Sequence, residues 1–424
     1  MENRKYKRRI IDKKIEEYLQ TFGAVCIEGP KWCGKTWTSS FHSNSEIYLG
    51  DPEGNFQNRK LAELSPALVL EGETPRLIDE WQEVPALWDA VRHRVDQKTE
   101  KGQFILTGSA TPNHKGILHS GAGRIARLRM RPMSLFESGN SSGAVSLEKL
   151  CDHELIPVMT GEVELKKLID YIIRGGWPAN MELDLEQAAL LPAQYLDAVL
   201  EDDIYRLDGI KRDLAKMKLL LRSLARNEST TATNKSLKND VKEADREDID
   251  LDTISIYLDI FTRLFLIDNQ PPFAAKIRSS VRVKQAEKRH FSDPSLACAL
   301  LKATPEKLLG DLETLGFLFE ALCERDLKIY GESFGAGLYH YQDYRNREID
   351  AVLELKDGEW CAFEIKLGAN QIEDAARNLL KIDNEIEKEG GKRPKILCVI
   401  CGLSNAAYKR EDGVYVVPIT ALRE

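Results

Sequence analysis

The chain has 424 residues, of which 42% are hydrophobic, so two to four domains with substantial cores are expected. Its net charge of −8 excludes a uniformly basic protein, and any nucleic-acid contact must use local patches. No run of about 20 apolar residues exists that would span a membrane, and the start MENRKYKRRIIDKK lacks the apolar centre of a signal peptide. We therefore expect a cytoplasmic protein.

A phosphate-binding loop is predicted at residues 29–36. The short apolar strand AVCIE leads into a segment with the pattern G-x-x-x-x-G-K-T, and a helix is predicted to follow. Glycines let backbone N–H groups turn toward phosphate oxygens, and the helix N-terminus adds partial positive charge. Lys35 is expected to reach the β- and γ-phosphates, and Thr36 to hold Mg²⁺. The candidate nucleotide-binding residues of the loop are Gly29, Pro30, Lys31, Trp32, Cys33, Gly34, Lys35 and Thr36.

Polar side chains also follow two further predicted strands. The segment RLIDE ends in Asp79 and Glu80, which offer one carboxylate for Mg²⁺ and one to polarise the attacking water. The apolar segment QFILTGSA ends in Thr107 and Ser109, which are placed to sense a γ-phosphate. A helix N-cap is the alternative role for the two carboxylates. Because parallel strands bring their carboxyl ends to one edge, where such sheets bind ligands, we favour the catalytic role.

The segments GPKWCGKT, LIDEWQ, ILTGSA and GRIARLRMRPMSLFE resemble, in order, those of the prokaryotic AAA-type ATPases that carry a C-terminal conserved domain of unknown function. The resemblance extends over nearly the whole chain. It implies that residues 29–36 are Walker A, that Asp79 and Glu80 are Walker B, and that Ser109 closes sensor 1. It also makes Arg124 a candidate to act on the γ-phosphate of its own or a neighbouring subunit, with a surface ion pair as the alternative. Lys31-Trp32 and Cys33 depart from the usual family residues at positions that supply no phosphate ligand.

The middle of the chain is predicted to be helical. Residues 139–210 begin with the Ser/Gly-rich GNSSGAVS, typical of a linker, and continue with helical patterns. Residues 211–300 show three short helices and then a two-stranded ribbon, the order of a winged helix. Basic residues on the ribbon suit phosphate contacts with DNA or RNA, whereas the third helix is too apolar and acidic to read a major groove. A winged helix that packs against protein is the alternative. The basic residues are Lys276, Arg278, Arg282, Lys284, Lys288 and Arg289.

Near the C-terminus, ionisable residues interrupt two apolar strands, REIDAVLEL and WCAFEIKLG. Side chains alternate on strands, and a three-residue loop at Lys356–Gly358 would close a hairpin with Asp350 opposite Glu364. The same register pairs Glu348 with Lys366 and puts all four side chains on one face. Close carboxylates suit Mg²⁺ or Mn²⁺, and a nearby lysine could hold water or steady a phosphate. From spacing alone, a solvated face with cross-strand ion pairs is equally compatible.

The element order here also resembles the PD-(D/E)XK restriction-endonuclease-like fold, which the same ATPase family carries. A helix with Glu320 precedes the hairpin with Asp350, the E-x-K strand and a final helix. The resemblance implies that Asp350 and Glu364 hold metal, that Lys366 orients water or steadies charge, and that Glu320 supports the metal shell. The charges then form a metal pocket, intact or relict, and the motif alone does not establish that the domain cuts.

We therefore predict an α/β protein with an AAA-type ATP-binding domain at residues 1–138, a linker and helical region at 139–210, a winged-helix domain at 211–300 and a nuclease-like domain at 301–424. The expected function is ATP binding and hydrolysis with Mg²⁺, coupled to a nuclease-like, nucleic-acid-directed effector that uses Mg²⁺ or Mn²⁺. One alternative is a nucleotide-switched DNA-binding or scaffold protein with a non-cutting nuclease-like domain. Another is a protein-remodelling ATPase. A homo-oligomer is expected if Arg124 acts on a neighbouring subunit.

Overall fold

The computed structural model describes residues 6–98, 100–111, 118–245, 249–275, 285–343, 345 and 347–424. The chain divides into two compact units. Unit 1 comprises Met1–Pro132, Glu201–Arg212 and Asp259–Leu266, and unit 2 comprises Met133–Leu200, Asp213–Leu258 and Ile267–Glu424. Within the described ranges, no helix is both long enough and apolar enough to cross a membrane.

The strands and helices have the following bounds. The strands are β1 (Ala24–Glu28), β2 (Ser45–Tyr48), β3 (Arg76–Asp79), β4 (Phe104–Gly108), β5 (Ile125–Arg129), β6 (Val145–Ser146), β7 (Val158–Met159), β8 (Gly337–Gln342), β9 (Glu348–Glu354), β10 (Trp360–Lys366), β11 (Leu397–Cys401), β12 (Ala406–Lys409), β13 (Tyr415–Pro418) and β14 (Leu422–Arg423). The α-helices are α1 (Asp12–Thr21), α2 (Lys35–Phe41), α3 (Glu53–Leu64), α4 (Pro66–Val69), α5 (Ala86–Gln97), α6 (Leu135–Ser138), α7 (Leu147–Cys151), α8 (Leu165–Arg174), α9 (Leu185–Ala198), α10 (Ile204–Asp208), α11 (Leu214–Arg226), α12 (Asn234–Asp245), α13 (Leu251–Arg263), α14 (Pro294–Leu301), α15 (Pro305–Gly310), α16 (Leu312–Ser333) and α17 (Ile372–Lys388).

Unit 1 is built on a five-stranded parallel sheet with the strand order β2-β3-β4-β1-β5. Strands β1 and β4 are buried along their whole length, which explains their continuous apolar runs, because both faces of a parallel sheet are covered. Alternate residues of β1 enter two separate apolar clusters. Cys26 packs in the cluster that holds Trp88 of α5, and Ile27 packs in the one that holds Ile15 of α1. Helices therefore cover the two faces and leave the strand ends free to carry a site.

Unit 2 contains a seven-stranded mixed sheet with the order β7-β12-β13-β11-β10-β9-β8, and β6 pairs separately with β14. Strands β9 and β10 are antiparallel, and the N–H of Leu355 donates to the carbonyl of Glu359 at 2.8 Å. Gly358 has a φ of 76°, the left-handed conformation that the loop requires. The predicted hairpin is therefore confirmed, with the predicted register from Glu354 beside Trp360 to Ala351 beside Phe363.

The three helices expected within residues 211–300 are present as α11, α12 and α13. Antiparallel bridges join Ile267 to Phe291 and Gln270 to Lys288, where the expected ribbon would begin. Its basic residues Lys276, Arg278, Arg282 and Lys284 lie outside the described residues. Lys288 is only 4% exposed, and the half-buried Arg289 donates to the Asn234 side chain at 2.9 Å. The expectation that these last two residues offer exposed charge to a polyanion is therefore wrong, because both side chains have partners within the unit.

Candidate nucleotide site and carboxylate–lysine cluster

The predicted phosphate-binding loop connects β1 to α2, and its two glycines have separate structural reasons. A Cβ atom on Gly29 would lie 2.1 Å from the carbonyl oxygen of Met130, so a side chain does not fit there. Gly34 has a φ of 105° and stands immediately before the first residue of α2. The left-handed backbone at this point favours glycine. Gly29 is therefore required by the close approach of Met130, and Gly34 by the left-handed turn before α2.

Lys35 lies inside this loop. Its Nζ atom donates to the carbonyl oxygens of Gly29 at 2.9 Å and Pro30 at 2.8 Å, and the residue is 5% exposed. The ammonium group is thus held by the loop that should receive the phosphates, as the motif predicts.

Arg9 supports the same loop from a segment that the sequence analysis did not connect to it. Its guanidinium donates to the carbonyl of Cys33 at 2.8 Å and to that of Arg131 at 2.9 Å. The residue is 8% exposed. No sequence spacing links position 9 to a loop more than twenty residues later, so only the fold reveals this contact.

The predicted Mg²⁺ ligands are brought together. The Thr36 hydroxyl donates to Oδ1 of Asp79 at 2.9 Å, and the Thr107 hydroxyl donates to the same atom at 2.7 Å. Burial raises the pKa of Asp79, and the hydrogen bond from Thr107 opposes that shift. A hydroxyl and a carboxylate that meet at a strand end are the hard oxygen donors that Mg²⁺ prefers, so these residues fit the ion.

Glu80 follows β3 in a strained conformation. Its φ of 58° is left-handed, which is uncommon outside glycine and is concentrated at functional sites. Its Oε2 atom accepts from the Ser109 hydroxyl at 2.7 Å and from the Gln82 amide. Ser109 therefore contacts the predicted water-polarising carboxylate, and Gln82 is a further member of the site that the sequence analysis missed.

The other loop side chains point to protein partners or to solvent. Lys31 pairs with Asp203 at 2.6 Å, and Cys33 is fully buried with its Sγ atom 3.8 Å from the carbonyl of Met130. Trp32 is 53% exposed. These positions can serve a nucleotide through their backbone N–H groups.

The structure does not bring Arg124 to the loop. Arg124 immediately precedes β5, which runs parallel to β1 with Ala24 beside Ile125 and Glu28 beside Arg129. Arg124 therefore lies at the amino edge of the sheet, whereas the loop follows the carboxyl edge, roughly 15 Å away at about 3.3 Å per residue. Its Nε atom donates to Asp96 at 2.8 Å. This is the surface ion pair that the sequence analysis left as the alternative, and no direct action in its own subunit is compatible with it.

In unit 2, the four residues predicted to form a metal pocket also come together, but a second lysine joins them. Lys366 Nζ lies 2.9 Å from Oδ2 of Asp350 and 2.7 Å from Oε2 of Glu364. Lys288 Nζ pairs with Glu320 and lies 3.9 Å from Oδ1 of Asp350. We call these five residues the carboxylate–lysine cluster. Carboxylates and ammonium groups alternate through the cluster, in the order Glu320, Lys288, Asp350, Lys366 and Glu364.

Further hydrogen bonds occupy the carboxylates. The N–H of Ile365 donates to Oδ2 of Asp350, and the Asn378 amide of α17 donates to Oε1 of Glu364, both at 2.8 Å. Glu348 does not join the cluster, because its exposed side chain accepts from Gln342 instead. Of the four side chains predicted to share one face, Asp350, Glu364 and Lys366 therefore lie together, whereas Glu348 at the start of β9 does not join them.

The charges of the cluster follow from burial and from neighbouring ions. Burial raises the pKa of Glu364 to about 8 and that of Glu320 to about 7, and the charge of Asp350 raises both. Burial would also raise the pKa of Asp350, but the ammonium groups of Lys366 and Lys288 hold it below its usual value. Glu324, one turn after Glu320 on α16, has a pKa raised well above its usual value by burial, and neither of its carboxyl oxygens has a hydrogen-bond partner among the described residues.

This arrangement does not fit a divalent metal. Mg²⁺ and Mn²⁺ need oxygen ligands that converge on one point, whereas an ammonium group stands between each pair of neighbouring carboxylates. Over the described part of the chain, no group of three or more His, Cys, Asp or Glu side chains is arranged to hold a metal ion. The metal role expected for Glu320, Asp350 and Glu364 is therefore not supported. The structure contains ion pairs instead, but they are largely buried and do not form the solvated face that the spacing alone left open.

Comparison with known proteins divides the chain into three regions. Residues 21–138 match the AAA domain family. Residues 165–307 match a domain of unknown function (DUF8612), and residues 315–422 match a second one (DUF4143). The expected AAA-type domain is thus confirmed, whereas the two other descriptions specify neither a fold nor an activity.

Similar proteins occur in mycobacteria. The uncharacterized proteins Rv2008c of Mycobacterium tuberculosis and Mb2031c of Mycobacterium bovis are each 24% identical over 363 residues, which cover 85% of this chain and 74% of each relative. Among solved structures, the Walker-type ATPase of Pyrococcus abyssi matches at 11% identity with a TM-score of 0.42. That match covers 70% of this chain and 99% of the other.

Proposed function

We propose that this chain, whose residues 21–138 form an AAA-type P-loop domain, binds ATP with Mg²⁺ and hydrolyses it. The observation that carries the proposal is that the Thr36 hydroxyl, next to Lys35 at the start of α2, contacts Asp79 at the end of β3, which Glu80 follows. Groups separated by more than forty residues thus supply a cation, a hydroxyl and two carboxylates at one sheet edge. This is the set that phosphoryl transfer from a nucleotide requires.

Binding uses the loop. Backbone N–H groups and Lys35 take the β- and γ-phosphates, which replace the carbonyls of Gly29 and Pro30 as partners of the ammonium group. Thr36 and Asp79 would hold Mg²⁺, which neutralises charge on the phosphates when it is bound. Arg9 fixes the carbonyl of Cys33 and so keeps the loop backbone in the receiving conformation.

Hydrolysis uses Glu80. Its carboxylate polarises the attacking water and accepts its proton. The Ser109 hydroxyl and the Gln82 amide, which both donate to Oε2, orient the carboxylate and leave Oε1 for the water. The Thr107 hydroxyl accepts a hydrogen bond from the backbone N–H of Glu80 at 3.0 Å and so ties Glu80 to β4, which Ser109 follows.

The test is phosphate release from ATP by wild type and by Lys35→Ala. The variant should neither bind nor hydrolyse ATP, because no other ammonium group of the loop faces the phosphates. Lys31→Ala is the matched control, since it removes an ammonium group of the same loop that is paired with Asp203. It should retain both properties, and equal turnover by wild type and Lys35→Ala would refute the proposal.

We further propose that hydrolysis is coupled to a nucleic-acid-directed region in the rest of the chain. The support is the run of basic residues at positions 276–284 in the sequence. Phosphate contacts make binding depend steeply on salt. Affinity for DNA and RNA should therefore fall with rising salt and differ between ATP and ADP. A protein-remodelling ATPase would bind neither polymer, and this outcome would favour that alternative.

A further inference from the structure

Lys288 enters the carboxylate–lysine cluster from outside the helix α16 and the strands β9 and β10, which carry the other members. Its backbone is fixed by two hydrogen bonds with Gln270, each 2.9 Å long. The Gln270 amide in turn donates to the carbonyl of Tyr339 at 2.8 Å and to that of Asp350 at 3.2 Å. Lys288 is therefore tied through Gln270 to the strand of Asp350, and the position of its ammonium group is fixed by the fold of unit 2.

The ammonium group of Lys288 takes the place of a bridging ion. It pairs with Oε1 of Glu320 and lies 3.9 Å from Oδ1 of Asp350, so it joins a carboxylate of α16 to one of β9. The side chain is 6% exposed, and those of Glu320 and Asp350 are 12% and 13% exposed. Carboxylates buried to this degree need a nearby cation to stay ionised, and the chain supplies its own.

Lys366 balances the charge of the other carboxylates in the cluster. Lys366 contacts Oδ2 of Asp350 and Oε2 of Glu364, while the Asn378 amide takes the remaining oxygen of Glu364. A divalent ion could reach the Glu320–Asp350 pair only by expelling Lys288, which would leave a buried ammonium group without a partner. Such an uncompensated charge is strongly unfavourable.

We propose that Lys288 is the resident cation of the carboxylate–lysine cluster, and that it occupies the position between Glu320 and Asp350 where a divalent ion would otherwise bind. Unit 2 is therefore a metal-free counterpart of a nuclease-like domain. Its cluster stabilises the fold by internal ion pairs and does not support metal-dependent cutting. The proposal concerns the cluster alone and is independent of ATP hydrolysis.

The experiment replaces Lys288 by methionine, which keeps most of the volume and removes the charge. Melting temperature and Mn²⁺ binding, the latter by electron paramagnetic resonance, are measured on the full chain without nucleotide. Wild type should bind no Mn²⁺ at the cluster and keep its melting temperature. Lys288→Met should melt roughly 5–10 °C lower, because Glu320 loses its partner. Added Mn²⁺ should bind to this variant and recover part of the loss.

Three further variants test whether the Mn²⁺ binding and the change in melting temperature arise at the cluster. Asp350→Asn in the Lys288→Met background should abolish the new Mn²⁺ binding and so place the ion at the cluster. Glu320→Gln in that background removes both charges of the pair and should restore much of the melting temperature. Lys392→Met, which removes an exposed lysine paired with Glu359, should melt as wild type does.

Two outcomes would overturn the proposal. One is Mn²⁺ binding by wild type that Asp350→Asn abolishes, since the cluster would then hold metal with Lys288 present. This outcome can be read even if Lys288→Met does not fold. The other is a folded Lys288→Met, alone or with Glu320→Gln, that melts as wild type does and binds no Mn²⁺, since Lys288 would then compensate nothing.

Discussion

The hydroxyl of Thr36 lies 2.9 Å from Oδ1 of Asp79, although 43 positions separate the two residues. This contact joins the first turn of α2 to the end of β3 and so links the loop that receives phosphate to the strand that carries the carboxylates. The nucleotide site is therefore assembled by the sheet, and each of its parts can be removed separately.

Asp79→Asn should weaken ATP binding in the presence of Mg²⁺ but leave metal-free ATP binding nearly unchanged, because only the carboxylate offered to the ion is lost. Calorimetric titration with Mg²⁺, and again with a chelator, measures both affinities. Asn keeps an oxygen that can accept from Thr36 and Thr107, so the fold should be retained. Affinities equal to those of wild type in both titrations would contradict the assignment.

Arg124→Ala should leave ATP hydrolysis unchanged in dilute protein, because Arg124 lies at the sheet edge opposite the loop. Arg92→Ala is the matched control, since Arg92 pairs with the same Asp96 at 2.8 Å. If Arg124 acts on a neighbouring subunit, its loss should matter only at concentrations where light scattering shows association. Mixing Arg124→Ala with Lys35→Ala should then restore part of the activity. Lost turnover in monomeric Arg124→Ala would contradict the placement.

Stability should depend on pH through Glu320 and Glu364. Their pKa values are raised from 4.5 to about 7 and about 8 in the folded state, so folding retains protons that the unfolded chain releases. The stability they contribute is present below about pH 4.5 and is lost as pH rises through their folded values.

Glu364→Gln cannot ionise, so its free energy of unfolding should fall less than that of wild type between about pH 6 and about pH 8.5. Urea unfolding at both pH values gives the comparison. Glu359→Gln, which alters a half-buried carboxylate of the same hairpin that is paired with Lys392, serves as the control and should follow wild type. Equal pH dependence in wild type and Glu364→Gln would show that Glu364 is already ionised in the folded chain.

Local patterns predicted the parts of the molecule that depend on neighbours in sequence. The loop from Gly29 to Thr36 was predicted from its residue spacing between a strand and a helix. The loop at Lys356–Gly358 sets the β9–β10 register. The meeting of Asp79 with Thr36 followed from the rule that parallel strands share a carboxyl edge. In the loop and the hairpin one chain segment determines the geometry, and at Thr36 and Asp79 the shared direction of the parallel strands does.

Other contacts had no local signal. Lys288 stands in a run of basic residues, and composition alone favoured a solvated position, whereas its partner Asp350 is 62 residues away. For Arg124, the candidate action in its own subunit took no account of the end of the strand at which the residue lies. A residue that precedes a parallel strand lies at the amino edge, so strand direction argues against direct action in its own subunit.

The most direct test of the ATPase account is the separation of binding from hydrolysis in Glu80→Gln. This variant should bind ATP with nearly wild-type affinity, because Lys35, Thr36 and Asp79 are intact. It should release phosphate at least about a hundredfold more slowly, because an amide cannot accept the proton of the attacking water. Calorimetry and phosphate release on the same preparation measure both quantities. Tight ATP binding with slow turnover is the predicted result, and turnover equal to that of wild type would contradict the account.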